Sequence, residues 1–134
     1  MADAAPSIFR RGQIAGALFL ALGATCGALG AHALEDVMSP DRLESWGTAS
    51  LYLLVMGAGL VGASHSSSHR LSRAALDAVG VGTLLFSGSI MGLVTLATMD
   101  VGSGWRAFLG PITPLGGVLM IGGWIGWAWS LRSR

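Results

Sequence analysis

The chain contains no lysine and only one cysteine, and charged residues make up 11% of its 134 positions. Each scarcity excludes something. A single thiol, Cys26, rules out an intrachain disulfide, and no Cys-x-x-Cys-His haem-attachment motif is present. Within an apolar helix, Cys26 reads as a small packing residue. A soluble domain carries about 25% charged residues, so this chain has too little polar surface to cover a water-facing globule. Its net charge of +1 offers no basic face, which excludes nucleic acid as a partner. All eight basic residues are arginine, a usage that suits a bacterial genome of high GC content and says little about mechanism.

What the chain does have is long runs without charge. None occurs between Arg11 and Glu35, between Glu44 and His65, between Asp77 and Asp100, or between Arg106 and Arg132. Each gap holds roughly 20 to 25 residues, enough for a helix to cross a hydrocarbon core of about 30 Å. The sequence therefore predicts an all-α, polytopic membrane protein: a compact antiparallel bundle of four transmembrane helices. They form a single domain over 1–134, with spans at about 12–33, 45–64, 78–99 and 112–131. The lipid bilayer is the expected surrounding, in a bacterial cytoplasmic (inner) membrane. Arg10 and Arg11 followed by an apolar run and Ala31-His32-Ala33 imitate a cleaved secretory signal. The run is longer than a signal core and three further spans follow, so the first span is expected to be retained.

Arginine placement predicts orientation. With the N-terminus inside, Arg10, Arg11, Arg70, Arg73, Arg132 and Arg134 are cytoplasmic, and only Arg42 and Arg106 lie outside. The expectation is N-in and C-in. Ser39-Pro40 and Thr113-Pro114 each put a hydroxyl before a proline, predicting capped starts for the second and fourth helices. Asp41 with Glu44 is a competing capping box for the second helix, and Gly110-Pro111 marks the turn into the last. Trp46 and Trp105 fall at the outer boundary, Trp127 and Trp129 at the inner one, as an aromatic belt requires.

Glycine supplies the packing signal. Gly16, Gly23, Gly27 and Gly30 share one side of the first helix, while Gly88 with Gly92 and Gly122 with Gly126 make small-x-x-x-small pairs in the third and fourth. In lipid, helices gain little from hydrophobic burial, so close backbone approach through small residues supplies dispersion contact. Gly23, Gly27, Gly88, Gly92, Gly122 and Gly126 are thus the expected helix-packing positions.

Chemistry-bearing residues are few. No carboxylate or arginine falls near the middle of a span, where its burial would signal transport or proton relay. Asp77, at the inner edge of the third span, is expected to pair with Arg73 four residues earlier. His65 and His69 lie in a polar inner loop without further ligand types, so a solvated loop is expected rather than a metal site. His32 is a span length away from them, which excludes a shared site. It closes the first span, opposite the glycine side, where an imidazole could donate to last-turn carbonyls or be held by Glu35. His32 and Asp77 are the candidate functional or interfacial residues. No catalytic, cofactor-binding or metal-binding residue is predicted.

Four segments together resemble the small membrane family called domain of unknown function 423, which has an animal relative, transmembrane protein 256. They are GALGAHAL (27–34), WGTASLY (46–52), LLFSGSIMGL (84–93) and GPITPLGGVLMIGGW (110–124). The last two are the most specific. The resemblance runs from about Arg10 to Leu131, implies a four-helix inner-membrane protein, and carries no catalytic residue with it. Relatives tend to have histidine four residues after the tyrosine of the second segment, where this chain has Met56. A function that needs two histidines is not expected here.

The functional expectation is a protein without catalysis of its own, an accessory or organising component of a larger membrane assembly, with a membrane-protein partner or a homo-oligomer. Its rival is a small-solute or ion transporter acting as an oligomer, which a buried charge or a continuous polar stripe would favour; Thr83, Ser87, Ser89 and Thr95 in the third span are the only hint of one. Those hydroxyls can equally bond to carbonyls of their own helix.

Overall fold

The computed structural model describes residues 7–65, 70–102 and 104–132. These form α1 (Ser7–His32), α2 (Pro40–Ser64), α3 (Arg70–Thr98), a short α4 (Gly104–Leu109) and α5 (Ile112–Leu131). Four segments are long and apolar enough to cross a membrane: α1, α2, α3, and α4 with α5 taken together. All described regular structure is helical.

The helices follow one another in space as in sequence. α1 packs on α2, α2 on α3 and α3 on α5, whereas α1 meets α3 only lightly and does not touch α5. The first neighbours run antiparallel, since Gly12 faces Ser64 while Gly30 faces Trp46. α3 and α5 do likewise: Ser72 meets Ser130 at one end and Ser89 meets Thr113 toward the other. α2 and α3 are tied by Tyr52 against Phe86, with ring centroids 4.7 Å apart. Consequently Arg10, Arg11, Arg70, Arg73 and Arg132 share one end of the bundle, and Arg42 and Arg106 the other.

The core sits between α2 and α3. Leu53, Leu60 and Ala63 pack there against Leu76 and Val79, with Phe19 arriving from α1 and Trp124 and Trp127 from α5. Outward-facing positions are equally apolar: Leu18, Val118, Ile121 and Ile125 are all more than 60% exposed. Water would penalise such a surface, and lipid does not.

The helix starts differ from expectation. Ser39 is the N-cap of α2 with Pro40 next, but neither its hydroxyl nor an Asp41–Glu44 box caps the helix; its carbonyl instead receives the Arg42 and Leu43 N–H groups. α5 begins one residue before Thr113, whose hydroxyl turns away to α3. The Gly110-Pro111 turn does separate α4 from α5, and the Gly110 N–H closes α4 on the Arg106 carbonyl. α3 ends with Asp100 in the left-handed region (φ 51°) while the Val101 N–H reaches the Leu96 carbonyl. This is the geometry of a Schellman closure, with aspartate at the position glycine usually holds.

Candidate functional site: a lateral groove between the first and third helices

The backbone approach of the helices is set by two reciprocal glycine contacts. A β-carbon on Gly16 would lie 2.6 Å from the Gly57 carbonyl oxygen, and one on Gly57 would lie 2.8 Å from that of Gly16. Gly82 and Gly116 repeat the relationship between α3 and α5, at 2.7 Å in each direction. Only hydrogen fits at these crossings. Gly23 lies against Leu54 and Gly27 against Ser50, so the glycine side of α1 faces α2.

The pairs expected in the third and fourth spans are placed differently. Gly88 and Gly122 are exposed, and a β-carbon on either would meet nothing within 4 Å. Gly92 meets only the flexible end of Leu109 in α4, and Gly126 makes an ordinary contact with Ala75. The physical reason is register. The α3–α5 seam passes through Gly82, Gly116 and Gly123, and a residue six positions from Gly82 is turned to another face at 100° per residue.

Serine and threonine hydroxyls fasten the same interfaces. Ser50 donates to the Gly23 carbonyl at 2.7 Å, Ser72 and Ser130 share a hydrogen bond of 2.7 Å, and Thr113 donates to Ser89, whose own proton goes to the Phe86 carbonyl. The Trp46 indole donates to the Cys26 carbonyl at 2.7 Å, and that of Trp124 to the Met56 sulfur at 3.1 Å. Cys26 is buried beside this contact and packs as a small apolar group. Of the α3 hydroxyl stripe, Thr83 donates to the Val79 carbonyl, while Ser87 is fully buried and its hydroxyl has no partner among the described residues. Serines inside apolar runs are a visible signal for these fasteners; which partner each meets is not visible in sequence.

The titratable candidates lie apart. His32 is the last residue of α1, exposed, and its imidazole makes no hydrogen bond with a described residue. The expected imidazole cap is absent; at this helix end the Leu29 carbonyl accepts the N–H groups of Ala33 and Leu34, both at 2.9 Å. His65 is not simply solvated. It faces the Val61 carbonyl through Nδ1 (2.9 Å) and the Gln13 amide through Nε2 (3.1 Å), linking α2 to α1. His69 lies outside the described residues. Among those residues no cluster of three His, Cys, Asp or Glu could hold a metal.

Asp77 is exposed and forms no ion pair with Arg73. It lines instead a lateral groove of about 600 Å³ between α1 and α3, floored by Leu60 of α2. α2 and α3 are also antiparallel, since Tyr52 meets Phe86 while Leu60 faces Gly80, so α1 and α3 run parallel. Arg11, the first lining residue on α1, and Asp77, beside the first on α3, therefore fall at the same end of the groove. Gly12 follows them, and the lining then turns apolar, through Leu18 and Phe19 to Leu22 and Leu84. Arg11 is legible in sequence as the residue bounding a charge-free run. Its place at the same end of a groove as Asp77, on a different helix, is not.

The comparisons agree with this architecture. The model of a family described as "Protein of unknown function (DUF423)" matches residues 26–117. A UPF0382 membrane protein of Schizosaccharomyces pombe is 38% identical over 99 residues, covering 73% of this chain and 81% of its own. A UPF0382 membrane protein of Staphylococcus saprophyticus is 35% identical over 115 residues, covering 84% and 88%. The UPF0382 membrane protein YwdK of Bacillus subtilis is 33% identical over 116 residues, again covering 84% and 88%. No solved structure matches. By the matched segment, the coverage of its relatives and four membrane-spanning helices, this chain belongs to the DUF423 family of multi-pass integral membrane proteins.

Proposed function

We propose that the protein is an accessory or organising component of a larger membrane assembly, without catalysis of its own. It sits in the cytoplasmic membrane as a single four-span domain, with the arginine-rich end and both termini inside. One observation supports the role: the hydroxyls of Ser50, Ser72 and Ser89 join the bundle's own helices, while its groove lies on the flank of the bundle, lined by successive turns of α1 and α3. A groove on the flank suits a molecule already in the membrane. Orientation draws on the five described arginines gathered at one end.

The transporter reading draws on the α3 stripe. Thr83 and Ser89 direct their protons to carbonyls of their own helix, and Ser87, whose hydroxyl has no partner among the described residues, is fully buried and out of reach of a passing solute. The test combines two measurements on the full chain. Purification in mild detergent from native membranes, with reciprocal tagging, is expected to return a stoichiometric membrane-protein partner. Proteoliposomes holding the chain alone are expected to show no solute flux above empty vesicles. Solute-selective flux would replace this reading with the transporter.

A further inference from the structure

The lateral groove has a polar end and an apolar length, and its chemistry specifies an occupant. Arg11 stands immediately before the charge-free run of α1, and Asp77 immediately before that of α3. Both therefore sit where spans meet headgroups. Among the described residues neither is engaged in an ion pair, with each other or with Arg73. The groove thus presents a guanidinium and a carboxylate at one level, each with its hydrogen-bonding capacity unspent on described residues. From Arg11 to Leu22 it runs about 16 Å along α1 at 1.5 Å per residue.

We propose that this groove binds one phospholipid with a zwitterionic headgroup bearing a primary ammonium, of the phosphatidylethanolamine class. One acyl chain lies along Leu18, Phe19, Leu22 and Leu84. The phosphate accepts hydrogen bonds from the Arg11 guanidinium, whose fork matches phosphate oxygens. The ammonium donates to the Asp77 carboxylate. A choline headgroup has no N–H to donate, and a glycerol headgroup brings no cation to Asp77 and leaves two anions facing each other.

Charge separates this occupant from an apolar helix of a second copy, whose face would cover the Arg11 guanidinium and the Asp77 carboxylate without giving either a partner. Moving a chain from bilayer to groove exchanges one apolar surrounding for another, so selectivity must come from the headgroup. The proposal concerns the groove alone and stands or falls independently of the accessory role: lipid binding is read on the purified chain, partner retention on native membranes.

The test uses the full chain in detergent, titrated with dioleoyl phosphatidylethanolamine, phosphatidylcholine or phosphatidylglycerol, and native mass spectrometry to count retained lipids. One phosphatidylethanolamine per chain is expected, held about tenfold more tightly than phosphatidylglycerol, the worth of one charge-assisted hydrogen bond. Asp77→Asn should erase that preference, and Arg11→Gln should weaken all three lipids. Gly80→Leu adds a side chain to the groove wall, where a β-carbon has 3.9 Å of room to Leu60. It should abolish retention in a chain that remains helical and monodisperse. If that variant does not fold, the two charge variants decide. Equal or tighter binding of phosphatidylglycerol by the unaltered chain would overturn the proposal, as would a lipid ordering unmoved by Asp77→Asn. So would a folded Gly80→Leu chain that keeps its lipid, or one that loses a dimer instead.

Discussion

Gly16 and Gly57 hold α1 and α2 so close that each occupies the place where the other's side chain would begin, its carbonyl oxygen 2.6–2.8 Å from that point. Gly82 and Gly116 do the same for α3 and α5. Adding a methyl group at any of the four must push backbone, not a flexible side chain. Gly57→Ala and Gly116→Ala should each cost about 1–3 kcal/mol by overpacking. Gly88→Ala and Gly122→Ala, which meet open space, should be within about 0.5 kcal/mol of the parent. Cys26, buried and the only thiol, serves as the reporter: a thiol-reactive fluorogenic dye reads its exposure during thermal unfolding in detergent.

The buried serines should separate into two classes. Ser50→Ala removes a hydroxyl that donates to the Gly23 carbonyl and should destabilise by about 1 kcal/mol. Ser87→Ala removes a fully buried hydroxyl with no partner among the described residues and should leave stability unchanged or raised by up to about 1 kcal/mol. The same unfolding assay compares them. A larger loss for Ser87→Ala than for Ser50→Ala would mean that Ser87 has a partner in the membrane.

Topology is checked by paired reporters. Fusions after Arg132 and at His65 should read cytoplasmic, and insertions at Pro40 or Gly102 should read external. A C-terminal fusion reading external would invert the orientation while leaving the shared end of the arginines intact.

His32 should tolerate change. It is exposed, ends its helix, and its imidazole makes no hydrogen bond with a described residue. His32→Gln, His32→Asn and His32→Leu should each lie within about 0.5 kcal/mol of the parent, the range of surface substitutions. Folded variants that all lose partner retention in native membranes would assign the imidazole a role in contact with that partner.

Asp100→Gly should stabilise the end of α3 by up to about 1 kcal/mol, because aspartate there holds a left-handed backbone (φ 51°) that glycine adopts without steric cost. Thermal unfolding measures it. Asp100→Val should move stability the other way, since a β-branched residue is poorly accommodated at positive φ.

How far the sequence carries depends on which interactions set each feature. The number and length of the spans follow from the charge-free runs, because desolvating a charge in hydrocarbon is costly wherever it sits and the bilayer thickness fixes the helix length. Both properties are one-dimensional, so composition along the chain determines them, as does the gathering of the arginines once consecutive spans alternate. The glycine side of α1 is legible for a related reason: four small residues on one face leave little choice of contact.

Tertiary structure alone decided the rest. Gly-x-x-x-Gly spacing occurs in α3 and α5 on faces turned away from the seam, and lipid does not penalise an exposed glycine enough to mark the difference. The pairing of Ser72 with Ser130, of Trp124 with Met56 and of Gln13 with His65 depends on axial register between helices 50 or more residues apart, set jointly by all the side chains at an interface. The expected local partners, Arg73 for Asp77 and the helix end for His32, lost to backbone and side-chain geometry. Asp77 instead lines the groove that Arg11 also lines from a different helix, because α1 and α3 both pack on α2 and meet each other only lightly.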